Sequence, residues 1–449
     1  MRFSRTLLLA TLATAPLAAL PAQAARLLRQ PTISARHIAF TYGADVWIVE
    51  RSGGAARRLT STAAVESDPQ LSPDGTRIAF TSNRSGTEAV YVMPIEGGTP
   101  ARLTYYPGQN LVRGWSPDGR HVLFASDRES APTGYTRLWT VPAAGGPSSR
   151  LPAPMGWNGA YSPDGRRMIV DRMDRWDVEF RSYRGGQNTP LVILDLTSLD
   201  EIRLPNERTT DIEPTWLGDK IYFVSDRDWA ANVWSYDVAT RQVQQVTRFR
   251  DAEVKSLASG GGALVFEQDG YLHTLDPATG RSARVEISIA GDFPWAETRW
   301  QDVTSRATNV SLSPTGQRVL LEARGEIFTV PAERGATRNL TRSSGTADRA
   351  PIWSPDGKQI AWFSDSDAGY RLVIGAQDGT GERREISIGE SKMAWEPAWS
   401  PDGSRIAFVD DDTRIRVVEL ASGRVTTADH DGSNIGRGDM GLVWSPDSK

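Results

Sequence analysis

The chain contains no cysteine. Disulfide bonds and thiolate metal sites are therefore excluded. Histidine is nearly as scarce. The four present (His37, His121, His273 and His430) are scattered, and none has the HxxxH spacing of a metal-ligand pair. Charge of one sign is also missing. Lys and Arg number 51 against 55 Asp and Glu, the net charge is −4, and no basic stripe appears. That pattern speaks against a nucleic-acid partner. Beyond the N-terminus no segment is apolar enough to cross a bilayer, so no membrane span is expected.

The N-terminus itself reads as a targeting segment. Arg2 and Arg5 precede an apolar run from Leu7 to Leu20, and Ala22-Gln23-Ala24 supplies an A-x-A cleavage site. Thr11, Thr14 and Pro16 interrupt the run, which is shorter than the ~20 apolar residues of a membrane span. The expectation is a signal peptide over 1–24 and a mature chain, periplasmic or secreted, that begins near Ala25.

What the chain has in quantity is glycine (41) and tryptophan (15), and a repeated turn. Ser-Pro-Asp-Gly stands at 72–75, 116–119, 162–165, 354–357 and 400–403, with degenerate copies at Ser313-Pro314-Thr315-Gly316 and Ser445-Pro446-Asp447-Ser448. Proline fixes φ at the second turn position, aspartate bonds back to the backbone, and glycine accepts the positive φ where the chain re-enters a strand. Around Ser400 the turn joins a strand ending at Trp399 to the apolar run Ile406 to Val409. Further strands follow at Arg414 to Leu420 and Arg424 to Thr427. Four short strands in about 40 to 50 residues make the blade of a β-propeller, which needs neighbours because one sheet cannot bury both faces.

Nine such units and the start of a tenth fit the sequence: 31–60, 65–106, 109–152, 155–205, 211–247, 252–287, 304–341, 347–386, 395–428 and a stub from 440. The pattern breaks between Ser288 and Thr304. Rings usually close with about four to eight blades. The predicted architecture is all-β. A six-bladed propeller spans 25–287, a linker spans 288–303, and an incomplete second propeller of seven-bladed type, three blades and a stub, spans 304–449. The final repeat ends at its first turn, so the chain reads as a fragment. The fourth unit carries an insertion from Arg172 to Gly186.

Little else in the sequence points to chemistry. Gly114-Trp115-Ser116-Pro117-Asp118 superficially resembles a nucleophile elbow, but Ser116 belongs to the repeated turn. Ser126-Asp127-Arg128 and Ser225-Asp226-Arg227 recur at one blade position, where Asp accepts backbone bonds and Arg pairs across the hairpin. Asp410-Asp411-Asp412 reads as a solvated hairpin tip. Trp115, Trp216, Trp353 and Trp399 read as inter-blade packing. The strand before each turn should line the axis, which places Asp68, Arg113, Asn158, Glu213 and Glu396 around it.

Several stretches together resemble the N-terminal half of the tricorn protease family, in the exported form joined to an S41-type serine peptidase. They are Val112 to Gly119, Tyr183-Arg184-Gly185-Gly186, Asp219 to Arg227 with Asn232 to Asp237 after it, and Glu322 to Phe328. The resemblance implies a large homo-oligomeric peptidase that acts on peptides, with propellers as gates and filters. It places the catalytic serine and histidine in a C-terminal half absent here, so no catalytic residue, metal or cofactor is expected in this chain. The family holds the substrate's C-terminal carboxylate with basic residues. Arg113, Arg137 and Arg184 are the candidates here, because an arginine fork suits a carboxylate. Two rival readings share the turns: a TolB-like periplasmic interaction protein without chemistry, and the propeller of a prolyl oligopeptidase-like hydrolase.

Overall fold

The computed structural model describes residues 25–131, 134–174, 184–186, 188–293, 300–343, 345–366, 369–430 and 440–448. The predicted signal peptide lies outside them, as do parts of the insertion and of the linker. The chain divides into two compact units, 1–295 and 296–449. Among the described residues no helix is long and apolar enough to cross a membrane.

The first unit is built from six four-stranded antiparallel sheets whose strands follow in sequence, except that the first sheet skips the short strand Gly54–Ala55. Their first strands are Arg29–Ile33, Glu66–Leu71, Asn110–Trp115, Asn158–Tyr161, Asp211–Leu217 and Val254–Gly260. Each of these touches the next, and the sixth touches the first, so the six encircle an axis. The second unit repeats the design with three four-stranded sheets whose first strands are Ala307–Leu312, Asp348–Trp353 and Ala394–Trp399.

The cores lie between sheets. In six of the nine sheets the second strand carries a fully buried phenylalanine at one recurring place, Phe40, Phe80, Phe124, Phe223 and Phe266 in the first unit and Phe408 in the second, and in a seventh the buried Trp362 takes that place. A separate apolar cluster fills each of the six seams of the first unit. Ala39, Ile48, Ile78 and Phe80 join sheets one and two, and Ile38, Phe40, Ala263 and Val265 join sheets one and six. The chain closes the circuit a second way. Ile287–Ser288 returns to pair in parallel with Gly54–Ala55, at the rim of the first sheet, and the Ala25 N–H donates to the Ile287 carbonyl at 2.9 Å.

The repeated turn is more tightly wired than its sequence reveals. In the copy at 400–403 the Gly403 N–H donates to the Ser400 carbonyl at 2.9 Å, and Gly403 has φ +73°. Ser400 Oγ donates to Asp402 Oδ1 (2.7 Å) and accepts the Arg405 N–H (2.9 Å), while Asp402 accepts the Ser404 N–H (2.9 Å). These bonds hold the Asp402 carboxyl at about 2, well below the usual range, with the Ser400 bond the largest cause. The serine, which the sequence reading left without a role, satisfies the backbone where the second strand begins.

Two expectations need correction. The run 410–412 is not a solvated tip throughout. Asp410 is buried at the end of its strand, bonded to Ser391 Oγ (2.8 Å) and to Arg414 Nε (2.8 Å), because two arginines reach it from the next strand. The fourth strand of that sheet runs Val425–His430, beyond the predicted end at Thr427. The Ser-Asp-Arg positions behave as read. Asp127 and Asp226 accept the backbone N–H of Gln109 (3.0 Å) and Thr210 (2.8 Å), and Arg227 pairs with Asp211 (2.6 Å).

Candidate functional site

The polar feature that organises the first unit is a belt of side chains around the axis. It originates in a recurring irregularity. In five of the six first strands the ladder to the second strand shifts register. At Gln30, Asp68, Glu213 and Ser256 the bulged residue has φ near +50°, an αL conformation that costs a non-glycine residue about 1–2 kcal/mol. Three of those residues precede a proline (Pro31, Pro69 and Pro214). Proline suits a place where the shifted ladder leaves no acceptor for an N–H.

The belt repays that strain by joining sheet to sheet. Gln30 Nε2 donates to Asp68 Oδ1 (3.3 Å) and Gln30 Oε1 accepts the Asp68 N–H (3.1 Å). Arg113 Nη1 donates to the same Asp68 oxygen (2.9 Å), and its Nε donates to the Trp157 carbonyl (2.8 Å). The guanidinium lies over the Trp157 ring, 4.3 Å from its centre. Glu213 Oε2 accepts the Leu257 N–H (3.1 Å). Glu267 Oε1 accepts the Gln30 N–H (2.6 Å), and its other oxygen pairs with Arg29 (3.1 Å). The second unit uses the same device. Glu322 accepts the Ala350 N–H (3.0 Å), and Glu396 accepts the N–H groups of Met440 (3.0 Å) and Gly441 (2.8 Å).

Of the residues expected at the axis, all lie on first strands. Asp68, Arg113 and Glu213 act as ties between neighbouring sheets and Glu396 holds the chain beyond the last sheet at Met440 and Gly441, whereas Asn158 turns back on itself, its Oδ1 accepting the Gly159 N–H (2.8 Å). Gln30, Glu267 and Glu322 were missed. A signal existed for the first: a proline stands three residues before the turn at Pro31, Pro69, Pro214, Pro351 and Pro397.

The three candidate arginines are not brought to one place. Arg113 sits in the belt, its fork occupied by Asp68 and Trp157. Arg137 opens the third strand of the third sheet, where it donates to the Tyr135 hydroxyl (2.6 Å) and its buried Nε finds no partner among the described residues. Arg184, in the insertion, pairs with Asp226 (2.9 Å) and remains 38% exposed. Of the three it is the one most accessible to a ligand.

Burial raises the Glu213 carboxyl to about 7. The Leu257 N–H opposes the shift, and Glu267 reinforces it. A carboxyl whose folded pKa exceeds its unfolded value of 4.5 takes up a proton on folding, so stability should fall as pH rises from about 4.5 to 7. Because Glu213 borders the axis and is only half-buried, the expected loss is about 1–2 kcal/mol. Glu213→Gln should abolish that slope, as read by urea titrations at pH 5 and pH 8. An unchanged slope would place the titrating group elsewhere.

Sheets arranged radially about an axis, with their innermost strands in contact around it, define a β-propeller protein. The chain belongs to the family described as tricorn protease N-terminal beta propeller domain, which matches residues 25–281. It is 31% identical over 441 residues to tricorn protease homolog 1 of Streptomyces coelicolor, covering 94% of this chain and 40% of that protein. It is 24% identical to the tricorn protease homolog of Saccharolobus solfataricus, over 78% of this chain and 32% of that protein. The crystal structure of the tricorn protease superposes with a TM-score of 0.56 at 21% identity, over 94% of this chain and 41% of that one. A shorter stretch is 32% identical to a TolB homolog of Chlorobium chlorochromatii, over 33% of this chain and 32% of that protein. The chain thus spans about two fifths of the length of the first of these relatives.

Proposed function

We propose that this chain is the propeller portion of an exported, tricorn-like serine peptidase of S41 type that degrades peptides. In this reading a six-bladed ring over 25–287 and a second ring begun at 304 admit and filter peptides. The chain itself supplies no catalytic residue, and the whole protein assembles as a homo-oligomer in the periplasm or outside the cell. The observation that carries the reading is the family match over 25–281, extended by a similarity to tricorn protease homolog 1 that runs along 94% of the chain. Arg184 is the first residue to test as a holder of a peptide's terminal carboxylate, with Arg113 and Arg137 after it.

A TolB-like interaction propeller is the second reading, favoured by the shorter matching stretch. The two separate in one experiment. The chain of 449 residues and the product of its whole reading frame are purified and offered a mixed peptide library. The chain alone should leave the peptides intact. The longer product should hydrolyse them and lose that activity to a serine-reactive phosphonate. Hydrolysis by the chain alone, abolished by a substitution within 1–449, would overturn the assignment. An inert product of the whole frame would favour the TolB-like reading.

A further inference from the structure

The Ala25 N–H, which donates to the Ile287 carbonyl at 2.9 Å, belongs to a peptide bond that the sequence marks for cutting. Ala22-Gln23-Ala24 closes the apolar leader, so the bond to be cut is the amide between Ala24 and Ala25. Residues 1–24 lie outside the described part of the chain, but the nitrogen of that amide lies inside it.

The fold takes hold of this nitrogen without a spacer. Ile287 is 2% exposed and lies in the short strand that pairs in parallel with Gly54–Ala55. On one edge of that strand the Glu286 and Ser288 carbonyls accept the N–H groups of Gly54 (2.8 Å) and Ala56 (2.9 Å). Carbonyls alternate along a strand, so the Ile287 carbonyl points to the other edge, where Ala25 meets it. Ala25 packs against the apolar cluster between the first and sixth sheets, and Leu28 is buried within it. The Leu28 N–H donates to the Gly270 carbonyl (3.2 Å). Arg26 lies over the Tyr271 ring, 5.2 Å from its centre, and pairs with Asp269 (3.1 Å). That pair is exposed and contributes little; the two backbone bonds and the buried leucine hold the segment. Each partner, Asp269, Gly270, Tyr271 and Ile287, belongs to the sixth sheet or to the strand after it, so the tie exists only once the ring has closed.

We infer that closure of the first ring shields the bond between Ala24 and Ala25, so that the leader must be removed before the first and sixth sheets meet. Hydrolysis there breaks the bond from the Ala24 carbonyl carbon to the Ala25 nitrogen. Water gives its hydroxyl to the Ala24 acyl group and its remaining proton to the nitrogen, which becomes the free α-amino group of Ala25. A peptidase must reach exposed, extended backbone on both sides of the bond it cuts. Here the side that begins with Ala25 is laid against a buried strand. Cutting of a folded precursor therefore waits for local opening of the closing seam and tracks the population of the open form. Until residues 254–288 are made, Ala25 has nothing to bind and the bond is accessible. Cutting and closure compete, and a chain that closes first keeps its leader. The inference rests on the reading of the chain as exported.

The test uses the whole precursor, 1–449, and a purified bacterial signal peptidase, with loss of residues 1–24 read by mass spectrometry. The enzyme is added either as the precursor is diluted from urea or after folding is complete. The unfolded chain should be cut after Ala24, and the folded chain at least about tenfold more slowly. A spacer of about ten Gly and Ser residues inserted between Ala24 and Ala25, ~30 Å when extended, should restore cutting of the folded precursor to the unfolded rate. Gly260→Ala, at the hairpin where the sixth sheet meets the first, should speed it without a spacer; the spacer variant carries the test if that substitution prevents folding. Equal cutting of folded and unfolded precursor, or protection that persists with the spacer, would overturn this inference and leave the exported reading intact. A precursor left whole in both states would overturn the two together.

Discussion

Arg84→Ala is expected to lower the stability of the first unit by about 3–5 kcal/mol, the cost of leaving a buried carboxylate without its partner. Glu66, whose side chain is fully buried, accepts a hydrogen bond from Arg84 at 2.8 Å. The same oxygen accepts from Ser82 (3.0 Å) and Thr62 (3.1 Å), and the other oxygen is buried without a partner among the described residues. The guanidinium also lies over Phe80 (5.4 Å) and Tyr91 (4.9 Å), so alanine removes packing as well as charge. Two controls separate these contributions. Arg84→Ala combined with Glu66→Gln should recover about half of the loss, because no charge is then stranded. Arg84→Lys should recover little, because an ammonium neither stacks nor forks. Urea unfolding midpoints provide the measurement, and a loss under 1 kcal/mol would mean that solvent reaches Glu66 freely.

The second large effect is expected where the circuit closes. A Cβ at Gly260 would stand 1.9 Å from the Ile33 carbonyl oxygen, and one at Gly261 would stand 2.4 Å from the Ala35 nitrogen. Both obstacles are backbone of the first sheet and cannot rotate aside. Gly261 also has φ +53°, which adds the usual αL penalty to any side chain. Gly260→Ala should therefore cost about 3 kcal/mol or more and loosen the sixth sheet from the first. Thiol labelling at Val265→Cys, buried in that seam, should accelerate, while Val112→Cys should not respond. If Gly260→Ala unfolds with the wild-type midpoint, the two sheets are less closely apposed than described.

The two cases show what the sequence makes readable. The hairpin at Ser259-Gly260-Gly261-Gly262 can be located from its glycines, because turn chemistry is local. That Gly260 and Gly261 also admit the backbone of residues 33–35 cannot be read, since that contact joins opposite ends of the unit. The repeated turn and the radial sheets follow from spacing and burial pattern, which recur and so reinforce one another. The belt is only half legible. Polar residues can be placed on the innermost strands, but whether Glu213 reaches Leu257 and Asn158 reaches only Gly159 depends on a register shift in one strand and its absence in another. The candidate arginines illustrate the same limit. A guanidinium suited to a carboxylate ligand is equally suited to Asp68 or Asp226, and residue type alone does not choose.

The bonds between Arg29 and Glu267 span 238 residues of chain. At a synthesis rate of about 5–20 residues per second, the first sheet waits roughly 10–50 s for the partner that covers its outer flank. During that interval Ile33, Ile38 and Phe40 have nothing to pack against on one side. The last sheet to be made thus decides when the earliest one is finished, and a ribosome that stalls after sheet five leaves an oily surface for holdase chaperones.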